Sequence, residues 1–322
     1  MIPKSSSEID THEAALLETA LREVLACPEC RGTLARGPRG ETLRCAACAA
    51  EFPLAEGIPV FTRGSPGPQE DERLFRDRLA QEELGRETQN LRAVAGEHHC
   101  IPVMGRYARS FRSRFSTQDW ILDIGTGYAW SWAGTAGGPP VIGIDLSLGN
   151  LLLAKRLLGK SDPVLLLCAD ASRLPLRGGM ISGVWSVQAF QLFPELVFRK
   201  MQEELDRVLK PRFLLESHHL HPAPLYRILY RLRGKRLHLR GRCGPFETNR
   251  LTLYEWRSRW ASFRKGTLEI TGGYSELFFH PEMGLRPRPY PVGLERWLAS
   301  RVPALAGAIA RQGILRVETT HS

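Results

Sequence analysis

Four of the seven cysteines, Cys27, Cys30, Cys45 and Cys48, form the pattern C-x2-C-x14-C-x2-C, and no other feature of this 322-residue sequence restricts folding so tightly. Each C-x-x-C pair fits a tight turn that aims two thiolates at one point. Two such turns on adjacent hairpins complete the tetrahedron that zinc accepts. A closed four-thiolate shell leaves no open coordination position, so the metal is expected to be structural. It would hold together about 40 residues too few to bury a core unaided. Disulfides would need an oxidising compartment, and Met1 to Leu25 carries Glu8, Asp10, Glu13 and Glu18 where an export signal needs an apolar block. A thioredoxin-like redox pair needs only one C-x-x-C, beside a βαβ unit. No apolar run reaches the roughly 18 to 20 residues of a membrane span, and the chain is expected to be cytoplasmic.

The rest of the chain divides at composition breaks. Residues 1–24 form an N-terminal extension and 25–63 the ribbon. Gly64-Ser65-Pro66-Gly67-Pro68 is a break, followed by a stretch rich in Glu, Arg, Leu and Gln that reads as a polar-faced helix to about Leu91. The helical linker is placed at 64–104 and the main domain at 105–322. Tyr107, Phe111 and Phe115 recur at four-residue spacing and predict a helix packing one aromatic face.

Trp120-Ile121-Leu122-Asp123-Ile124 is a short apolar strand that runs into Gly125-Thr126-Gly127, and Tyr128 to Ala133 can start a helix. Strand, glycine turn and helix make a nucleotide cradle, because glycines admit a ligand close to the backbone and helix N-termini offer N–H groups. A second strand, Val141 to Asp145, ends in an acid placed to accept bonds from two ribose hydroxyls. A third, Val164 to Cys168, runs into Ala169-Asp170-Ala171. Three apolar strands separated by helix-length segments predict a parallel sheet with ligands at its carboxyl edge. A nicotinamide-type G-x-G-x-x-G fits worse, since its third glycine would fall on Trp130.

Two resemblances build on these residues. Cys27-Pro28-Glu29-Cys30-Arg31-Gly32, with Cys45-Ala46-Ala47-Cys48 and Phe52 to Val60, resembles the zinc ribbon of the small activator subunit of eukaryotic and archaeal methyltransferases and its bacterial relatives. Residues 105–217 resemble class I S-adenosylmethionine-dependent methyltransferases. That likeness is carried by Asp123 and its glycine turn, Asp145, Asp170, Leu174-Pro175-Leu176, Val184-Trp185-Ser186 and Arg207-Val208-Leu209-Lys210-Pro211. The chain departs from the family pattern at the third loop glycine, around Tyr128 to Trp130. It departs again at Ser182, where an acid is common, and at Arg212-Phe213, where two glycines are usual.

The resemblance implies an α/β fold, with a Rossmann-like seven-stranded methyltransferase sheet and a small N-terminal zinc ribbon. It implies S-adenosylmethionine as cofactor beside structural zinc. In that family the acid before the loop orients the methionine part, the acid after the second strand binds ribose, and the acid after the third meets the adenine amine. The implied cofactor set is Asp123, Gly125, Thr126, Gly127, Asp145, Leu146, Asp170, Ala171 and Gln188. Strand five is placed at Phe213 to Ser217 and brings His218, His219 and His221 to the carboxyl edge, with His218 or His221 as the candidate base. Gln188, Phe190 and Gln191 border the expected pocket.

The net charge of +10 is confined to one region, for residues 199–265 hold 17 basic and 6 acidic side chains. A basic insertion at about 218–265 is therefore expected. Within it, Arg227, Arg231, Arg233, Lys235, Arg236, Arg240 and Arg242 run without an acid. A small organic molecule is the expected methyl acceptor. Residues 226–242 keep RNA or an anionic membrane surface open as a partner. An RNA base methyltransferase and a non-catalytic binding or scaffold protein are the alternative functions. Trp256 and Trp260, four apart, predict helix packing, Leu294 to Leu305 a last helix and Gly313 to Val317 a final strand.

Overall fold

The computed structural model describes residues 6–62, 68–84, 100–135, 137–159, 162–220, 227–228, 231–232, 234, 240–243, 246–249, 251–261, 263, 267–272, 297, 301–302, 304–305, 308 and 312–319. His221, the break at 64–67, most of 226–242 and most of the helix expected at 294–305 lie outside them. The chain forms two compact units, Met1–Trp185 with Glu195–Phe213, and Ser186–Pro194 with Leu214–Ser322.

The first unit opens with helix α1 (Ser6–Glu23) and a four-stranded antiparallel ribbon, β1 (Leu34–Arg36), β2 (Thr42–Cys45), β3 (Glu51–Ala55) and β4 (Ile58–Pro59). Helices α2 (Pro68–Leu84) and α3 (Cys100–Arg112) precede the parallel strands β5 (Trp120–Ile124), β6 (Val141–Asp145) and β7 (Val164–Cys168), with α4 (Leu148–Leu157) crossing between the last two. Strand β8 (Ile181–Val187) pairs parallel with β5, and α5 (Glu195–Val208) leads into β9 (Leu209–Leu220). Strands β5 and β7 are buried along their whole length, as continuous apolar strands covered on both faces must be. Helix α5 buries Phe198, Met201, Leu205 and Val208, a single stripe at helical spacing. Phe111 of α3 is buried against Trp185 and Phe115, while Tyr107 is half-buried and Phe115, also half-buried, lies beyond the end of the helix.

The second unit contains the rest of β9, a hairpin of β10 (Arg240–Cys243) and β11 (Phe246–Asn249), helix α6 (Leu253–Trp260), β12 (Thr267–Gly272) and β13 (Gln312–Glu318). Strand β13 pairs antiparallel with both β12 and residues 214–220 of β9. A reciprocal capping box between Thr252 and Glu255 starts α6, which buries Trp256 and Trp260 as their spacing predicts. The strand order of the mixed seven-stranded sheet is β12-β13-β9-β8-β5-β6-β7.

Two local expectations change. Strand five runs over Leu209–Leu220 and not only 213–217, because α5 passes into it without a loop. Pro211 favours extended backbone, and Lys210 is tied to Asp119 at 2.8 Å, so no glycine turn intervenes. His218 and His219 consequently lie in the strand, not in a loop after it. The segment 128–133 is a run of turns with no helix, because Ala129 sits in the left-handed region at φ 54°, which an α-helix cannot contain.

The outer strand β7 would expose its backbone groups, and the ribbon covers them. Val60 forms a parallel bridge to Cys168, and Phe61 N donates to Cys168 O at 2.7 Å. On the other flank Leu25 bridges Leu176, Ala26 N donates to Pro175 O and Arg177 N to Val24 O. Covering an edge in this way removes a template for aggregation. Glu204 of α5 locks the arrangement. Its Oε1 accepts from Arg31 of the ribbon at 2.8 Å and its Oε2 from Leu174 N at 2.8 Å, while Arg207 donates to both oxygens.

Breaking this buried network is expected to be expensive. Glu204→Ala should lower unfolding free energy by about 3 kcal/mol, because two guanidinium groups lose a shared acceptor. The exposed pair Glu195–Arg199 is the control, and Glu195→Ala should cost about 0.5 kcal/mol or less in the same urea titration.

Candidate active site

The ribbon brings its cysteines together as their spacing predicts. The ligand atoms of Cys27, Cys30, Cys45 and Cys48 all lie within 4.8 Å of one another, with Cys27–Cys48 at 3.7 Å and Cys30–Cys45 at 3.4 Å. A tetrahedron of Zn–S bonds near 2.3 Å places its sulfurs about 3.8 Å apart, so the shell fits zinc. The two turns are alike. Arg31 N donates to Cys27 O and Ala49 N to Cys45 O, and Arg31 and Ala49 both turn through positive φ. Burial opposes ionisation of Cys45, but the backbone N–H groups of Cys48 and Ala47 outweigh it and bring the thiol down to about 6. Gly32 has no room for a side chain, since a Cβ there would lie 2.8 Å from the Ala47 Cβ and 3.0 Å from the Cys45 sulfur.

The second group of residues gathers at the ends of β5, β6 and β7. Asp123, buried near the tip of β5, accepts on Oδ2 from Thr126 Oγ1 at 2.6 Å and from the Trp132 indole at 2.7 Å. Burial pushes its carboxyl up from 3.8 to about 7, against these two donors and with the nearby Asp145 charge adding to the rise. The loop that follows turns through positive φ at Gly125, Gly127 and Ala129. Every second residue takes that conformation, so the missing third glycine is replaced by alanine at 129. Asp145, at the tip of β6, accepts on Oδ2 from Gly127 N at 2.9 Å, and on Oδ1 from Ser147 N at 2.9 Å and Asn150 Nδ2 at 3.4 Å. Burial raises Asp145 and these donors oppose the rise.

Ala169 N donates to Asp145 O, which sets the end of β7 beside that of β6. Asp170 follows, with Oδ1 accepting from Ser172 N at 2.8 Å. Ala171 is buried, and the Leu146 carbonyl accepts from the Cys168 thiol. Tyr128 and Trp130 pack on each other, with ring centroids 5.4 Å apart, and against Ala80, Leu153 and Leu157. The carboxylates of Asp123 and Asp145 thus share one loop between them, and Trp132 is a partner that the sequence reading did not assign.

The second unit holds the histidines and glutamines. His218 is fully buried, with Nε2 at 2.8 Å from Glu216 Oε1, and Glu216 Oε2 accepts from Arg316 Nε at 2.7 Å. Burial alone would raise Glu216, but His218 and Arg316 hold it below the ordinary carboxylate range. His219, on the opposite face of the strand, packs on Trp256 with ring centroids 4.5 Å apart. Gln188 turns through φ 55° and its N–H donates to His218 O at 2.7 Å. The Gln191 amide is engaged by Leu220 N at 2.9 Å, and Phe190 packs on Trp260.

Residues 121–212 match the family model described as a methyltransferase domain, the span that holds β5 to α5 and all three strand-end acids. The chain carries a methyltransferase domain and a UPF0434-type segment. That segment is 40% identical over 48 residues to a UPF0434 protein of Shewanella denitrificans, covering 15% of this chain and 86% of that protein. A UPF0434 protein of Edwardsiella ictaluri is 37% identical over 57 residues, 17% of this chain and 98% of its own length. Among solved structures, the complex between the Trm112 methyltransferase activator of Haloferax volcanii and a methyltransferase is similar at 16% identity and a TM-score of 0.49. It covers 78% of this chain and 98% of its own. An S-adenosylmethionine-dependent methyltransferase from Archaeoglobus fulgidus is similar at 13% identity and a TM-score of 0.46, over 68% of this chain and 94% of its own. Among the described residues no helix of this methyltransferase is long and apolar enough to cross a membrane.

Two outcomes are expected. Elemental analysis should find one zinc per chain, lost in Cys45→Ser and reduced in Gly32→Ala, with a fall in thermal stability in both. Asp123 has a folded pKa above its unfolded one, so its contribution to stability is full below about 4 and is lost as pH rises through about 7. Asp123→Asn keeps an acceptor for Trp132 without the buried charge. It should stabilise the ligand-free protein at pH 8 by about 1–3 kcal/mol, with the difference shrinking at pH 5.5.

Proposed function

We propose that this methyltransferase acts on a small organic acceptor, with Asp123, Asp145 and Asp170 as the cofactor-holding acids and His218 as general base. The observation that carries the cofactor assignment is the Asp145–Gly127 bond, which closes the glycine loop over the tip of the neighbouring strand. The donor set fits the cofactor. Asp123 uses only Oδ2 in the bonds described, Asp170 only Oδ1, and Asp145 Oδ2 accepts a single bond, from Gly127 N.

S-adenosylmethionine supplies a methyl group on a sulfonium, transferred by in-line displacement without a metal or covalent intermediate. Asp123 would orient the methionine part, and its burial makes a nearby cationic amine group the natural partner of its ionised form. Asp145 would accept from the ribose hydroxyls, and Asp170 from the adenine amine. Gly125, Thr126 and Gly127 would let the backbone approach the ligand, while Leu146, Ala171 and Gln188 would border it. His218 would take the acceptor's proton, with Glu216, 2.8 Å from its Nε2, stabilising the imidazolium that results. What supports a small acceptor over a polymer is the likeness of Leu174-Pro175-Leu176 and Arg207-Val208-Leu209-Lys210-Pro211 to signatures typical of small-molecule methyltransferases. His221, outside the described residues, remains the alternative base.

Calorimetry with S-adenosylmethionine tests the cofactor reading. Asp145→Ala removes two charged acceptors and should weaken binding by about 100-fold, and unchanged binding would refute the assignment. Comparing metabolites and RNA nucleosides from cells with and without the gene identifies the acceptor. A methylated small molecule is expected to disappear. Loss of a modified nucleoside instead would establish the RNA reading, and His218→Ala should abolish whichever product is found.

A further inference from the structure

The linker helix α2 carries no role in the functional reading so far, yet one of its side chains reaches the cofactor acid through a single intermediary. Asp77 Oδ1 accepts from Ser147 Oγ at 2.6 Å and from Gly149 N at 2.9 Å. Ser147 is the N-cap of α4, and its own N–H is the one that donates to Asp145 Oδ1. Asp77 is held in turn from its other oxygen by Arg73 at 2.9 Å, and Arg73 also pairs with Glu70. Arg73, Asp77, Ser147 and Asp145 therefore form a continuous chain of bonds from the surface of α2 to the tip of β6.

Packing reinforces the chain. A Cβ at Gly149 would lie 2.8 Å from the Ala80 Cβ and 3.2 Å from the Asp77 Cα, so α2 rests directly on the first turn of α4 and only glycine allows it. Ala80 also belongs to the cluster with Leu153 and Leu157 on which Tyr128 and Trp130 pack. The same helix thus supports both halves of the cradle, the acid on one side and the altered glycine loop on the other. An ordinary linker helix needs none of this, since one apolar stripe would seat it.

We infer that Asp77 is a positioning residue for cofactor binding, holding the Ser147 turn so that Asp145 presents its carboxylate in a fixed orientation. The inference rests on the reading of Asp145 as the ribose acceptor. Asp77 does not touch the ligand and acts through Ser147. Its Oδ1 alone makes both bonds to α4, so asparagine, which keeps an Oδ1, preserves the function, whereas alanine does not. This separates positioning from bulk electrostatics, because Asp77→Asn removes the charge and the Arg73 bond but keeps the acceptor for Ser147 and Gly149.

The test is calorimetric titration of the full-length, zinc-loaded protein with S-adenosylmethionine, with thermal melts and zinc content confirming that each variant is folded. Asp77→Ala should raise Kd about tenfold and Asp77→Asn by about threefold or less. Placed in an Asp145→Ala background, Asp77→Ala should add less than about twofold, because the acid it positions is gone. If Asp77→Ala does not fold, Ser147→Ala breaks the same bond from its other end and takes its place in the cycle. Binding by Asp77→Ala within about twofold of wild type, equal losses in the alanine and asparagine variants, or full additivity with Asp145→Ala would each overturn the inference. Should Asp145→Ala bind as wild type, the cofactor reading fails instead, whatever Asp77 does.

Discussion

A single carboxylate at the tip of β6 joins two loops at the strand ends of the first unit. Asp145 ties the loop after β5, through Gly127, to the turn before α4, through Ser147. A carboxylate taken this far out of water is costly unless donors surround it, and here they are mainly backbone N–H groups, which cannot rotate away. Asp123 is treated differently. Its donors are a hydroxyl and an indole, fewer than its burial requires, and its carboxyl is held near the border of ionisation. Burial raises both acids, and at Asp123 the rise reaches about 7.

The ribbon and the sheet are less separable than their sequence signatures suggest. Seen alone, the four-cysteine module is a self-contained metal fold with a closed shell and no chemistry. In the structure its two flanks add backbone pairing to β7 and to the segment around Leu176, and Arg31, one residue beyond a zinc ligand, reaches Glu204 on α5. Metal occupancy therefore bears on the sheet through a short path. The ribbon supplies an edge, and zinc held by its four cysteines would keep that edge in shape.

Much of this was legible in the chain, for identifiable reasons. Metal-ligand spacing is a local code, and Cys27, Cys30, Cys45 and Cys48 meet as it specifies. Buried parallel strands are continuous apolar runs, so β5, β6 and β7 could be placed to the residue, with an acid ending β6 and others at the margins of β5 and β7. Where the pattern failed, a single conformational choice decided. Ala129 adopts a glycine conformation and dissolves the helix expected there, and Pro211 lets α5 run straight into a longer β9, which draws His218 and His219 into the sheet. Contacts between distant segments left no signal. Nothing in a Glu, Arg and Gln-rich helix marks Asp77 as the partner of Ser147, and nothing in the last strand marks Arg316 as the partner of Glu216. Such pairs are specified by topology and become visible only in three dimensions.

The pairing of Val60 with Cys168 also sets an order of events during synthesis. The ribbon leaves the ribosome first and can take up its metal at once, but the strand it is built to border is more than a hundred residues behind. At translation rates of about 5–20 residues per second, the nascent ribbon waits on the order of 5 to 20 seconds with a bare backbone margin. A module so short, with few buried apolar side chains such as Leu43 and Phe52, would hold its shape over that interval through the four metal bonds its cysteines are placed to make, and would meet the emerging sheet as a template already set.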